Sequence, residues 1–168
     1  EKKINNKNVK LSFSISTSNS PSLMKTAEII KNTWENMGAK VELKIFEIGD
    51  LNQTVIRKRN YEILLFGEIL GRDPDPFAFW HSSQRADPGL NIAMYANNTV
   101  DKILEDARTE TDLTKRIEKY KVFQEKIIED DAAIFLYSPY FIYLNPLFLN
   151  GINIESISSP QERFSSIN

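Results

Sequence analysis

Hydrophobic and polar positions change rhythm several times along this chain. Val9, Leu11, Phe13 and Ile15 alternate with polar residues, the two-residue period of a half-buried strand. From Leu23 the period lengthens. Leu23, Ala27, Ile30, Trp34 and Met37 recur at spacings of four and three, which is one face of a helix. Ser20 and Pro21 ahead of it fit an N-cap and a first helical position, and Gly38 is placed to end it. Val41, Leu43 and Ile45 return to alternation as a second strand. Asp50 is placed to cap a short helix using Leu51, Val55 and Ile56. The apolar run 61–66 then reads as a third, buried strand that stops at Gly67.

The order strand, helix, strand, helix, strand predicts parallel strands with right-handed crossovers. The expected fold class is therefore α/β: a mainly parallel sheet with flanking helices. In such a sheet all strands end on the same edge, and that edge gathers residues 16–20, 47–49 and 67–75. Open α/β sheets bind ligands along it. The second half is mostly helical. Val100, Ile103, Leu104 and Ala107 mark a short helix after Asn98. Leu113, Ile117, Tyr120, Phe123 and Ile127 mark a longer one ending near Asp130. The run 133–144, AIFLYSPYFIYL, reads as one or two strands interrupted by Pro139. The tail 150–168 carries Gly151, Pro160 and many serines.

Length and composition narrow the classes. At 168 residues with 41% hydrophobic content, one domain with a substantial core is expected. The net charge of -2 argues against a nucleic-acid footprint, and Arg57, Lys58 and Arg59 form only a small cluster. The absence of cysteine excludes disulfides and thiolate metal sites and leaves the compartment open. No apolar run has transmembrane length. The opening EKKINNKNVK has no apolar centre and does not read as a signal peptide.

The stretch YEILLFGEILGRDPDPFAFWHSSQ, residues 61–84, concentrates the candidate chemistry. Asp73 and Asp75 are positioned as an acid–base pair or, more simply, as turn formers with an Asp capping the helix that begins near Pro76. His81 is the single histidine, too little for a metal site, and no metal or cofactor is expected. Ser82 or Ser83 with His81 would allow a nucleophilic triad on paper, but no G-x-S-x-G elbow, Walker loop or G-x-G-x-x-G is present. Trp80 is a candidate stacking surface, with Phe77 and Phe79 better read as core. Asn91 and Tyr95, in LNIAMYANN, either face a cleft or stabilise a loop. The charged face carrying Lys115, Glu118, Lys119, Glu125 and Lys126 reads as solvated surface. Tyr137, Tyr140, Phe141 and Tyr143 read as sheet core or, alternatively, as a partner-facing patch.

Three segments together resemble a known family: YEILLFGEILGRDPDPFAFWHSSQ with its strand and D-P-D-x-F loop, NIAMYANNTVDKILEDARTETDLTKRIEKYKVFQEKIIEDDAAIFLY with its helix pair, and PSLMKTAEIIKNTWENMGAKVELKIFE with its helix–Gly–strand. They cover most of residues 20–137 and are similar to the C-terminal lobe of the extracellular solute-binding proteins of the peptide/nickel type, which serve ABC importers. The resemblance implies one lobe of a two-lobed periplasmic-binding-protein-like fold, with residues 1–168 a single domain and a fragment of a longer protein. It implies non-catalytic binding of a peptide or other small solute. The implied partners are the N-terminal lobe and an importer permease, and the implied location is the periplasmic or extracellular face of a bacterial membrane. Any membrane attachment would be through a lipid anchor outside this segment. Relatives hold the peptide amine with an acidic residue three positions before Asp73, where this chain has Leu70; Glu68 is the nearby substitute. The arginine that dipeptide-binding relatives place after the first strand has no basic counterpart around residues 17–20. The implied ligand-binding set is Gly67, Glu68, Ile69, Leu70, Asp73, Trp80, Asn91 and Tyr95. Two other functions compete with this reading: a small hydrolase using Asp73, Asp75 and His81, and a stand-alone interaction domain using the aromatic surface near Tyr140.

Overall fold

The structure is a computed structural model that describes residues 2–4, 7–9, 11–69, 75–140, 142 and 144. The described residues fall into two compact units. One comprises those up to Ile69 together with Phe77–Lys102; the other comprises Asp75, Pro76 and those from Ile103 onward.

The first unit opens with an antiparallel pair, β1 (Lys2–Ile4) and β2 (Lys7–Val9). Its main sheet is parallel, with β3 (Ser12–Ser18) between β4 (Lys40–Phe46) and β5 (Ile63–Leu64). The register places Ile15 opposite both Leu43 and Ile63. Parallel order and topology agree with the sequence expectation. The strand limits do not. Val9 belongs to the antiparallel pair, Leu11 is exposed, and the central strand begins only at Ser12. The run 61–66 contributes only two residues to the ladder, although Leu65 is buried in the core just beyond them.

A central strand is covered on both faces, so its polar side chains must find partners inside. Ser14, Ser16, Thr17 and Ser18 are all buried. The Ser14 hydroxyl donates to Glu62 Oε2 at 2.6 Å, and the Thr17 hydroxyl donates to the Leu65 carbonyl at 2.8 Å. These bonds fasten the 61–66 run to β3 beyond its short ladder.

Helix α1 (Pro21–Asn36) packs Ala27, Leu23, Ile30 and Trp34 onto Ile15, Val41 and Leu65. Trp34 meets Phe13 edge-on at 5.4 Å. Ser20 sits at the N-cap and Pro21 at the first turn as expected, but the Ser20 hydroxyl pairs with Ser22 Oγ and makes no cap bond. Gly38 takes φ +95°, a left-handed conformation that favours glycine, and its N–H bonds the Glu35 carbonyl at 2.9 Å. Met37 falls past the helix end and is exposed.

The second helical segment starts earlier than expected. Glu47, not Asp50, stands at its N-cap, and α2 (Ile48–Asp50) runs into a π-helical stretch, Leu51–Ile56. Leu51, Val55 and Ile56 are buried against Phe46, Tyr61, Leu64, Phe66 and Ile92. At its end Arg59 turns with φ +51° and donates to the carbonyls of Ile56, Arg85 and Gly89. Part of the small cationic cluster thus pins a loop, and Arg57 faces Asp87 at 3.4 Å.

After β5 come a short helix, α3 (Phe77–Trp80), and a 3-10 turn, Ser82–Gln84. Helix α4 (Asn98–Thr109) buries Val100, Leu104 and Ala107; Asn97 Oδ1 caps it by accepting from the Thr99 and Val100 N–H groups. In the second unit, Asp112 caps α5 (Leu113–Glu129), which buries Phe123 and Ile127. Lys119 ties α5 to the end of α4 through Glu110 at 3.0 Å and the Asp106 carbonyl at 3.1 Å. Leu113 and Ile117, expected on the buried face, are exposed.

The run 133–144 departs furthest from expectation. Its described residues form no strand, and Ile134, Phe135, Leu136, Tyr137, Tyr140, Ile142 and Leu144 are exposed. A strand needs a ladder partner as well as apolar side chains, and no described strand pairs with this run. Phe141, Tyr143 and the tail 150–168 lie outside the described residues.

Candidate functional site

The parallel sheet presents its strand ends on one edge, as its topology requires. There the exit of β3 is tied to the exit of β4. Asn19 N–H donates to the Phe46 carbonyl at 2.8 Å, and Asn19 Nδ2 donates to Glu47 Oε1 at 2.5 Å. The exit of β5 carries Gly67, Glu68 and Ile69, all exposed, with Ile69 90% accessible. Desolvation pushes the Glu68 carboxyl up to about 7, although water still reaches its side chain and tempers the effect. Leu70 and Asp73 lie outside the described residues.

Trp80 is brought together with Asn91, eleven residues on, and with Tyr95. The Trp80 and Tyr95 rings meet edge-to-face at 6.3 Å, both half-buried. Asn91 is completely buried. Its Nδ2 donates to the carbonyls of Trp80 (3.2 Å), His81 (3.1 Å) and Tyr95 (3.0 Å), and its Oδ1 accepts from the Tyr95 N–H at 3.2 Å. Both ends of the amide face the backbone, which is the loop-stabilising arrangement. A local N–x–x–x–Y spacing, with the amide reaching back to its own loop, is the sequence signal for it.

His81 is buried, stacked on Phe77 at 4.1 Å with an 18° interplanar angle. Its Nδ1 accepts from the Ser83 N–H at 3.1 Å and lies 2.8 Å from Ser83 Oγ, so the imidazole caps the 3-10 turn. Its Nε2 lies 3.9 Å from Asp101. Asp101, in the first turn of α4, accepts from Ser82 N–H at 2.8 Å and Ser82 Oγ at 2.5 Å. Asp101 was not singled out by sequence; an Asp three residues into a helix reads only as a favourable charge near its N-terminus.

The acid–base reading loses support. Asp75 pairs with Arg108 at 3.0 Å, beside Arg116, whose guanidinium lies 5.8 Å from the Tyr120 ring centre. Ser82 bonds Asp101 and not the imidazole, and Ser83 serves the turn. Among the described residues no group of three or more His, Cys, Asp or Glu side chains is arranged to hold a metal. A separate groove of about 460 Å³ lies between the π-helical stretch and residues 87–92. It contains none of the predicted site residues, and its Arg57 and Arg59 already face Asp87 and backbone carbonyls.

No family model matches the chain. Curated relatives do. The oligopeptide-binding protein AppA of Bacillus subtilis (strain 168) is 28% identical over 132 residues, which is 77% of this chain and 24% of AppA. The Probable D,D-dipeptide-binding periplasmic protein DdpA of Escherichia coli (strain K12) is 26% identical across 93% of this chain and 32% of its own length. The chain thus spans between a quarter and a third of the curated relatives it matches. The solved structure of AppA in complex with a nonapeptide superposes with a TM-score of 0.66 at 26% identity, over 73% of this chain and 24% of that one. NikZ from Campylobacter jejuni in complex with Ni(L-His) gives a TM-score of 0.62 at 26% identity, over 73% and 25%. Among the described residues no helix is long and apolar enough to cross a membrane. In sequence and in fold, the relatives of this chain are solute-binding proteins of the oligopeptide, dipeptide and nickel type, of which it matches one segment.

Proposed function

We propose that this chain is the C-terminal lobe of a longer solute-binding protein that captures a peptide or another small solute for an ABC importer at the periplasmic or extracellular face of a bacterial membrane. The observation that carries the proposal is the parallel β4-β3-β5 lobe itself, similar over 73% of the chain to a protein solved with a nonapeptide. The lobe forms half of a cleft. Its contributions are the β5 exit at Gly67, Glu68 and Ile69 with the loop onward through Leu70 and Asp73, and a Trp80–Tyr95 wall that Asn91 holds from behind. Closure of a second lobe onto this one buries the ligand, and the ligand's preference for the closed state drives the closure.

The ligand class follows from what the wall offers. Residues 16–20 carry no cation to receive a carboxylate, and the described residues just past β4 and β5 include the carboxyls of Glu47 and Glu68. Main-chain pairing with an extended peptide needs no side-chain charge. The non-catalytic reading is supported by the pairing of Asp75 with Arg108 and of His81 with its own turn. An isolated lobe supplies only half of the contacts, so calorimetry of the chain alone with oligopeptides is expected to show affinity weaker than millimolar. Tighter binding by the chain alone, or peptide hydrolysis that disappears with His81→Ala, would overturn the proposal.

A further inference from the structure

We infer that Asp101 is a positioning residue for the Trp80 wall, acting through Ser82. The inference rests on the reading that Trp80 faces the ligand, and it is tested without ligand. Trp80 ends a four-residue helix, too short to hold its own geometry by helical bonding. Its ring meets Tyr95, and its backbone is held by what grips the chain on either side. Asn91 grips the carbonyls of Trp80 and His81. Two residues beyond Trp80, Ser82 presents both its N–H and its hydroxyl to the two carboxylate oxygens of Asp101, at 2.8 and 2.5 Å. Charge-assisted bonds of this kind are short and strong, and the Asp101 side chain is only 14% exposed, so water competes weakly for them. The carboxylate sits in the first turn of a twelve-residue helix, which makes α4 the fixed support and the 80–82 turn the part that is held.

Both carboxylate oxygens of Asp101 accept from Ser82. Asp101→Asn keeps the size of the side chain but removes its charge, and its NH₂ meets the Ser82 hydroxyl only if that hydroxyl turns to accept, so the grip weakens and the turn loosens. Trp34 and Trp80 are the two tryptophans, so Trp34→Phe leaves Trp80 as the reporter. In that background Asp101→Asn is expected to red-shift Trp80 emission and increase its quenching by acrylamide, with far-UV circular dichroism unchanged. Ser82→Ala, which leaves α4 untouched, is expected to shift emission in the same direction by less. Thr99→Asp added to Asp101→Asn restores a carboxylate to the first turn without restoring the grip on Ser82; melting temperature is expected to recover while emission stays shifted. Emission that returns with Thr99→Asp would mean that Asp101 acts only on the helix end, and would overturn the inference. Unchanged emission in a folded Asp101→Asn protein would overturn it too. If Asp101→Asn does not fold, Ser82→Ala decides: unchanged emission rejects the inference and a red shift supports it. None of these outcomes depends on whether the protein binds peptides.

Discussion

Two apolar runs of similar character meet different fates. The run 61–66 lies beside β3, sends Leu65 into the core, and is fastened at Ser14 and Thr17 by side-chain bonds. The run 133–144 is as rich in aliphatic and aromatic residues, yet its described residues are exposed and form no strand. Composition shows that a segment can be a strand. A neighbouring edge with free N–H and C=O groups decides whether it becomes one.

That contrast is open to direct attack. Leu65→Ala is expected to cost about 2–5 kcal/mol in chemical denaturation, the range for truncating a buried aliphatic side chain, while Ile134→Ala is expected to stay within about 0.5 kcal/mol. A large loss at Ile134 would show that this exposed side chain is packed in solution. Asn91→Ala removes the bonds of a fully buried amide to the Trp80, His81 and Tyr95 backbone, and about 1–3 kcal/mol of destabilisation is expected from the same assay.

Glu62, within the 61–66 run, and Glu68, just past it, respond oppositely to pH. The Ser14 hydroxyl, helped by the Ser14 N–H, holds Glu62 below its ordinary 4.5. The unfolded chain takes up the proton first on acidification, so this contribution is complete above 4.5 and is lost as pH falls through the lower folded value. Desolvation raises Glu68 from 4.5 toward about 7, an effect that its exposure tempers, so the folded chain keeps its proton to higher pH than the unfolded one and stability declines as pH rises above 4.5. Glu62→Gln is therefore expected to remove stability at neutral pH and to converge with the parent in acid. Glu68→Gln is expected to do the reverse, gaining on the parent as pH rises toward 7. Parallel melts across that range check both slopes. The smallest effect is expected at Arg108→Ala: its ion pair with Asp75 is half exposed, and a loss of about 0–1 kcal/mol is anticipated.

Much of the fold was legible in the chain. The four-three spacing from Leu23 to Trp34 and the Pro21 and Gly38 signals fixed α1, because local sterics and one buried face settle such a helix. The parallel order followed from crossover length. The π-helical widening at Leu51–Ile56 was not legible, because its apolar spacing also suits an ordinary helix. The candidate site was legible only as residue types and places: Gly67, Glu68 and Trp80 stand out, and Asn91 and Tyr95 read as polar residues facing a cleft, with loop stabilisation the alternative for Asn91. Asp101 was missed because its partner, Ser82, is nineteen residues away and only tertiary structure joins them. Cavity formation offered no guide either, since the 460 Å³ groove contains none of the predicted site residues.

The most direct measurement compares two titrations by calorimetry: a mixed oligopeptide pool into this chain alone, and the same pool into the encoded polypeptide extended to the length of its relatives. Saturable binding by the longer polypeptide, with none tighter than millimolar by the chain alone and no peptide cleaved in either cell, is the expected result. Equal affinity in both, or cleavage of the peptides, would contradict the assignment of this chain as one half of a closing, non-catalytic cleft.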